Sequence, residues 1–115
     1  MKQVRNSALA LMALACAAAL AASGIEVLSV TPTNDGIEVL SSSTDAPPGS
    51  YVQAVMNLGG GDLVVSVCPV NPITGRATNL FPSMHSNNRL DLRGPMGDLL
   101  ASVSVGGFVG ELQLE

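Results

Sequence analysis

The sequence predicts an all-β fold, with a single β-sandwich or jelly-roll-like domain over residues 24–115 and an Ala-rich helical or signal segment over residues 1–23. Two observations support this prediction. Beyond Ser23 the chain consists of short runs rich in Val, Ile and Leu, which Gly, Pro, Asn, Asp and Ser separate. No stretch there repeats with a helical period. The predicted strands are 25–31, 36–42, 51–58, 62–68, 76–81, 89–93, 98–105 and 108–114.

The first two strands carry the same five residues, Ile-Glu-Val-Leu-Ser, at 25–29 and again at 37–41. Between them, Asn34-Asp35-Gly36 supplies residue types that tolerate positive φ angles, so the two copies are predicted to form a β-hairpin. In both copies the hydrophobic alternation shifts between Val and Leu. This shift indicates either strands covered on both faces or a β-bulge in the pair.

Alternating apolar positions predict which face of the later strands is buried. The inward positions are Val52, Ala54, Met56 and Leu58 in the third strand, Leu99, Ala101, Val103 and Val105 in the seventh, and Phe108, Gly110, Leu112 and Leu114 in the eighth. Gly106-Gly107 lies between the last two strands and is predicted to turn a final hairpin.

The first 23 residues have the layout of a secretory signal peptide. Lys2 and Arg5 precede an apolar run from Ala8 to Ala22, and Ala19-Leu-Ala21 is a small-residue cleavage pattern. The run is too short and too rich in alanine to favour a permanent transmembrane helix. The alternative is a retained helical arm, because Ala has the highest helix propensity and the larger residues recur at spacings of three and four. Cleavage would export the chain to the periplasm, the cell surface or the extracellular space.

Composition points to a subunit whose burial is completed by neighbours. The chain has no Trp, one Tyr and two Phe, so its core contains few of the side chains that bury most area. We therefore expect a homo-oligomer or an association with other structural subunits. Net charge is −4, and loss of Lys2 and Arg5 would leave three basic residues against nine acidic ones. Nucleic-acid binding, which needs clustered Lys and Arg, is not expected.

Signatures of catalysis and of metal binding are missing from the sequence. His85 is the only histidine and no cysteine lies at ligand spacing from it, while no Gly-x-Ser-x-Gly or calcium-loop pattern is present. Cys68 is predicted to be a small buried strand residue, and a Cys16–Cys68 disulfide would need a retained leader. The sequence thus predicts a protein that is not an enzyme and that uses no cofactor.

Residues 69–97 form the least regular part of the chain and are the predicted partner-binding region. Its candidate contact residues are Arg76, His85, Asn87, Asn88 and Arg89. The predicted function is a structural subunit of a surface or virion particle, for example a capsid decoration or cement protein. The alternative is an exported β-sandwich module that recognises a ligand or a partner protein through residues 69–97.

Overall fold

The structure, a computed structural model, describes residues 22–108. Seven strands follow one another in this part of the chain, namely β1 (Gly24–Thr33), β2 (Gly36–Thr44), β3 (Tyr51–Asn57), β4 (Asp62–Pro69), β5 (Arg76–Phe81), β6 (Arg89–Arg93) and β7 (Leu99–Ser104), and a short 3₁₀ helix covers Gly106–Phe108. The all-β prediction is confirmed for these residues, and seven of the eight predicted strands are present. The leader up to residue 21 and the eighth strand lie outside the described residues.

The strands form two antiparallel sheets. One sheet has the order β1-β2-β5 and the other has the order β4-β3-β6-β7. Because every pair is antiparallel, the connecting loops collect at two opposite ends of the strands. Loops 45–50, 70–75 and 94–98 lie at one end, and the 34–35 turn with loops 58–61 and 82–88 lies at the other.

The first hairpin and its bulge are confirmed. β1 and β2 pair from Gly24–Thr44 to Thr33–Gly36, and the register shifts between Val27 and Ser29 because Leu28 is an extra residue on β1. Gly36 has a φ of 142°, and a Cβ there would lie 2.3 Å from the carbonyl oxygen of Phe81. The turn therefore requires glycine at this position.

One hydrophobic core joins the two sheets. The smaller sheet contributes Val39, Ala77 and Phe81, the larger sheet contributes Val52, Ala54, Met56, Leu90 and Leu92, and Val105 closes the cluster. Phe81 is the largest fully buried side chain and it lies on β5, next to the hairpin glycine. The core is otherwise aliphatic, as the composition predicts.

Two of the predicted inward positions are wrong. Leu58 is 65% exposed because β3 ends one residue before it. Leu99 is 55% exposed because Leu100 is an extra residue on β7 and takes the inward position. Gly106 and Gly107, the predicted turn of the final hairpin, lie in the 3₁₀ helix, and Gly106 packs against the backbone of Ser86. The second strand of that hairpin lies outside the described residues.

Each edge of the two sheets carries a feature that discourages pairing with another strand. β1, β4 and β7 each contain a bulge, at Leu28, Val65 and Leu100. β5 has no bulge, but the N–H of Leu80 donates to the Ser66 hydroxyl on β4 at 3.1 Å. Bulges and occupied N–H groups remove the straight row of free hydrogen-bonding groups that a new strand needs.

Candidate interaction surface

The structure divides the predicted partner-binding region 69–97 between the two ends of the strands. β5 and β6 run through the middle of this region, so loops 70–75 and 94–98 lie at one end while loop 82–88 lies at the other. We call the first end, formed by residues 45–50, 70–75 and 94–98, the proline-rich end. It holds Pro47, Pro48, Pro72 and Pro95.

The five predicted contact residues do not form one surface. Arg76 begins β5 beside the proline-rich end, whereas His85 and Asn87 are exposed in the loop at the opposite end. Asn88 is only 1% exposed, so its side chain lies inside the domain and not on its surface. Its amide instead holds the loop together, since Nδ2 donates to the Ser83 carbonyl at 2.9 Å. Arg89 is half-buried and its guanidinium is occupied by two carboxylates.

An ion-pair network crosses the outer face of the larger sheet at Arg89. Its Nη2 lies 2.8 Å from Oδ2 of Asp62 on β4, and its Nε lies 2.9 Å from Oδ1 of Asp91 on β6. Ser102 on β7 donates to the same Asp91 oxygen at 2.7 Å, and Arg93 approaches its other oxygen at 3.8 Å. Asp91 is 1% exposed, so these groups replace its water.

The network holds both acids in the charged form. Burial raises the pKa of Asp91, but hydrogen bonds from Arg89 and Ser102 and the nearby positive charges outweigh burial, so this pKa lies below its ordinary value. Hydrogen bonds from Arg89 and then from Asn57 lower the pKa of Asp62 from 3.8 to about 2. Both carboxylates therefore stay charged near neutral pH, where neither can serve as a general acid.

His85 makes one side-chain contact that resembles part of a catalytic site. Its Nε2 lies 2.8 Å from the Ser83 hydroxyl, the distance expected between a nucleophile and its base. Both residues are exposed in a loop, and the hydrogen bonds found within residues 22–108 include no acid that orients the second ring nitrogen. No set of three His, Cys, Asp or Glu side chains in this same range is placed to hold a metal ion.

The proline-rich end contains an open groove of about 410 Å³ between residues 43–49 and 70–75. Residues 70–75 form one wall of the groove, as a turn that several hydrogen bonds hold in place. The side-chain oxygen of Asn71 accepts the N–H groups of Ile73 and Thr74 at 2.8 and 3.0 Å, and the N–H of Ser43 donates to the Gly75 carbonyl at 2.7 Å. This bracing fixes Ile73 at the tip, where its side chain is 91% exposed.

A second large apolar side chain lies at the same end. Met96, also 91% exposed, is held in a turn closed by the Gly97 N–H donating to the Gly94 carbonyl at 2.9 Å. The neighbouring Pro95 contacts loop 45–50, since a Cβ on Gly49 would lie 3.1 Å from it. Loops 70–75 and 94–98 therefore both border loop 45–50, and each carries one large apolar side chain that is exposed.

Sequence reasoning missed Ile73 and Met96 because it treated their segments only as turns. Each lies directly after a proline and within two residues of a glycine. In such a turn the backbone hydrogen-bonds to itself, and a large side chain at the tip has no core to enter. A large apolar residue between Pro and Gly was the available signal.

The sequence matches no protein-family model, and comparisons with curated proteins and with solved structures give no significant match. Within residues 22–108, no helix has the length and apolar character that crossing a membrane requires.

Proposed function

We propose that this chain is a non-enzymatic assembly subunit that associates with copies of itself or with other subunits through its proline-rich end. A surface or virion particle is the setting we favour, with capsid decoration or cementing as a concrete role. The observation that carries the proposal is the pair of exposed apolar tips, Ile73 and Met96, on braced loops at the same end.

The energetics favour burial of these tips by a partner. Covering one large aliphatic side chain fully is worth roughly 1.5–3 kcal/mol. Ordering a mobile side chain or loop at an interface opposes this gain. Here the loop backbones are already fixed by Asn71 and by the Gly94–Gly97 turn, so little further ordering of the backbone is needed. The prolines of the same surface lose little conformational freedom on binding.

The sheet edges support contact through the end of the domain. We infer that the two sheets pack as a β-sandwich, because their inner faces share one core. The jelly-roll-like variant depends on the eighth predicted strand. Three of the four sheet edges are bulged, and the fourth has N–H groups engaged by side chains of β4. Subunits built in this way would associate through side chains and loops, with little β-strand addition.

The Arg89 network supports a structural role as well. Its carboxylates at Asp62 and Asp91 are engaged by arginine on the outer face of the sheet. The positive charges of Arg89 and Arg93 balance the negative charges of Asp62 and Asp91, so this network adds no net charge to that face. Such a face suits a rigid wall better than a site for charged substrates.

The second candidate is an exported monomeric binding module. The groove favours it, because about 410 Å³ falls within the size range of small-ligand sites. Localisation follows the leader in both cases: the periplasm, the cell surface or the extracellular space if it is cleaved, and the virion or assembled particle if it is retained. The two candidates differ in whether the proline-rich end meets another subunit or a ligand.

Sedimentation velocity of the purified protein over a hundredfold concentration range tests the proposal. An assembly subunit gives a mass that rises with concentration to a defined oligomer or joins a larger particle. A chain that sediments as a monomer throughout, and does not join a larger particle, supports the binding module and contradicts the assembly role.

A further inference from the structure

The turn formed by residues 70–75 has a groove on each side. The groove already described, here called the first groove, lies between this turn and loop 45–50. A second groove, also of about 410 Å³, lies on the side of the turn where β4 ends and β5 begins. Four residues of the turn line both grooves, namely Val70, Asn71, Pro72 and Thr74. The turn is therefore a ridge between the two grooves, with the exposed Ile73 at its tip.

The two grooves carry opposite charges. Asp45 lines the first groove and Arg76 lines the second, and both residues are exposed. Neither of them takes part in an ion pair within residues 22–108. Asp98, the other charged residue in the loops of this end, lies over Gly94 and lines neither groove. One acid and one base thus stand on opposite sides of the ridge.

The ridge and the first groove match each other in chemistry. Ala46 and Pro47 on one wall and Val70 and Pro72 on the other are apolar, as is the Ile73 side chain at the tip of the ridge. An apolar side chain that enters an apolar groove leaves water on both surfaces, which is favourable.

The same surface is also complementary to itself under a two-fold rotation, in which every contact occurs twice with the partners exchanged. If the ridge of one copy enters the first groove of another, the ridge of the second copy enters the first groove of the first. This rotation also brings loop 45–50 of each copy over the second groove of the other. Asp45 then faces Arg76 across the interface at two places.

We propose that two copies of this chain pair in this way through the proline-rich end. Ile73 of each copy is buried in the first groove of the other, and Asp45 of each copy forms an ion pair with Arg76 of the other. The inference rests on the proposed function and names the partner, a second copy of the chain.

Charge favours a second copy over other occupants of the grooves. Anionic lipid surfaces and nucleic acids bind clustered Lys and Arg, and this surface carries one base and one acid. Addition of a partner strand needs a free sheet edge, which the bulges and the Ser66–Leu80 contact remove. A second copy brings an acid for the base and a base for the acid.

Charge reversal in two separate variants tests the pairing. Asp45→Lys and Arg76→Glu each place like charges at both contacts, so each variant alone should dimerise at least about tenfold more weakly than wild type at low salt. In an equimolar mixture of the two variants both contacts join opposite charges again. The mixed dimer should therefore return to within about threefold of the wild-type affinity. Asp35→Lys, at the opposite end of the domain, is the control and should dimerise as wild type does.

Two neutral variants give a second test that keeps the local backbone unstrained. Asp45 has a φ of 57°, a conformation that Asn tolerates better than Lys. Asp45→Asn and Arg76→Gln should each weaken dimerisation, and the double variant should be no weaker than either single variant, because the same ion pair is lost in all three. Losses that add in the double variant would mean that the two side chains do not meet.

Sedimentation velocity measures these associations and separates this inference from the proposed function. A mixture of charge-reversed variants that associates no better than each variant alone would overturn the pairing, and an oligomeric wild type would leave the assembly function standing. A wild type that is monomeric at every concentration would also overturn the pairing. It would contradict the proposed function only if the chain joins no larger particle either.

Discussion

The hydroxyl of Ser66 accepts the backbone N–H of Leu80 at 3.1 Å, although the two residues belong to different sheets. The same hydroxyl receives Nδ2 of Asn79 at 3.1 Å, so one side chain serves two donors. Two residues further along β4, the sulfur of Cys68 accepts the Thr78 N–H at 3.4 Å. Side chains of β4 thus accept N–H groups of β5 that would otherwise be free, because β5 is an edge strand of its own sheet.

Replacing Ser66 by Ala should destabilise the fold by about 0.5–1.5 kcal/mol, because the Leu80 N–H loses its acceptor while the Asn79 amide keeps its bond to the Val52 carbonyl. Urea denaturation should show a lower midpoint with an unchanged slope. Ser29→Ala, at an exposed position on β1, is the matched control and should be close to neutral. Equal urea midpoints for the two variants would mean that water replaces the Ser66 hydroxyl as acceptor and that this hydroxyl does not stabilise the contact between β4 and β5.

The Asp91 network should make stability fall in acid. The folded-state pKa values of Asp91 and Asp62 lie below their ordinary values, so these groups stabilise the fold fully above about pH 4. The stabilisation is lost as the pH drops from there through about 2. Asp91→Asn should lower stability near pH 7 by roughly 2–3 kcal/mol, because it leaves Arg89 short of a partner. The substitution should also make stability depend less on pH in the acid range.

Thermal unfolding of wild type and Asp91→Asn between pH 2 and 7 measures both effects. Glu38→Gln, an exposed acid on β2 outside the network, serves as the control. If the wild type and Asp91→Asn curves stayed parallel down to pH 2, the acid sensitivity would have to come from other groups.

Gly75 should be the least replaceable residue of the braced groove wall. It has a φ of 77°, and a Cβ there would lie 2.7 Å from the Ser43 carbonyl oxygen. Gly75→Ala should therefore cost about 1–3 kcal/mol. At Gly60 no atom lies within 4 Å of a Cβ, so Gly60→Ala should be nearly neutral. Chemical denaturation compares the two, and a neutral Gly75→Ala would mean that the wall is not rigid.

The strands were predictable because residues with a strong turn preference separate the apolar runs, as Asn34, Asp35 and Gly36 do between β1 and β2. The facing of individual side chains was less predictable. A bulge inserts one residue and reverses the alternation after it, so Leu100 replaces Leu99 on the inward face. Both Ile-Glu-Val-Leu-Ser copies show the same shift in hydrophobic alternation, but only the first copy contains a bulge, at Leu28. That copy lies on the edge strand β1, where no second neighbouring strand constrains the register.

The candidate surface was only partly visible in the sequence. Irregular loops at 69–97 were expected to carry binding, but the strands within that range send the loops to opposite ends. Arg89 was predicted to be free to contact another molecule. Its ion-pair partner Asp62 is 27 residues away in sequence and comes close to it only through strand pairing. Contacts of this kind depend on topology, which residue spacing alone does not define.

The most direct test of the assembly role compares Ile73→Asp with Leu58→Asp. Both changes place a carboxylate on an exposed apolar position, but only the first lies at the proline-rich end. Sedimentation velocity at matched concentrations is predicted to show wild type and Leu58→Asp as the same oligomer and Ile73→Asp as a monomer, with circular dichroism unchanged. An Ile73→Asp protein that assembles as wild type does, or a wild type that is monomeric throughout, would contradict assembly through this surface.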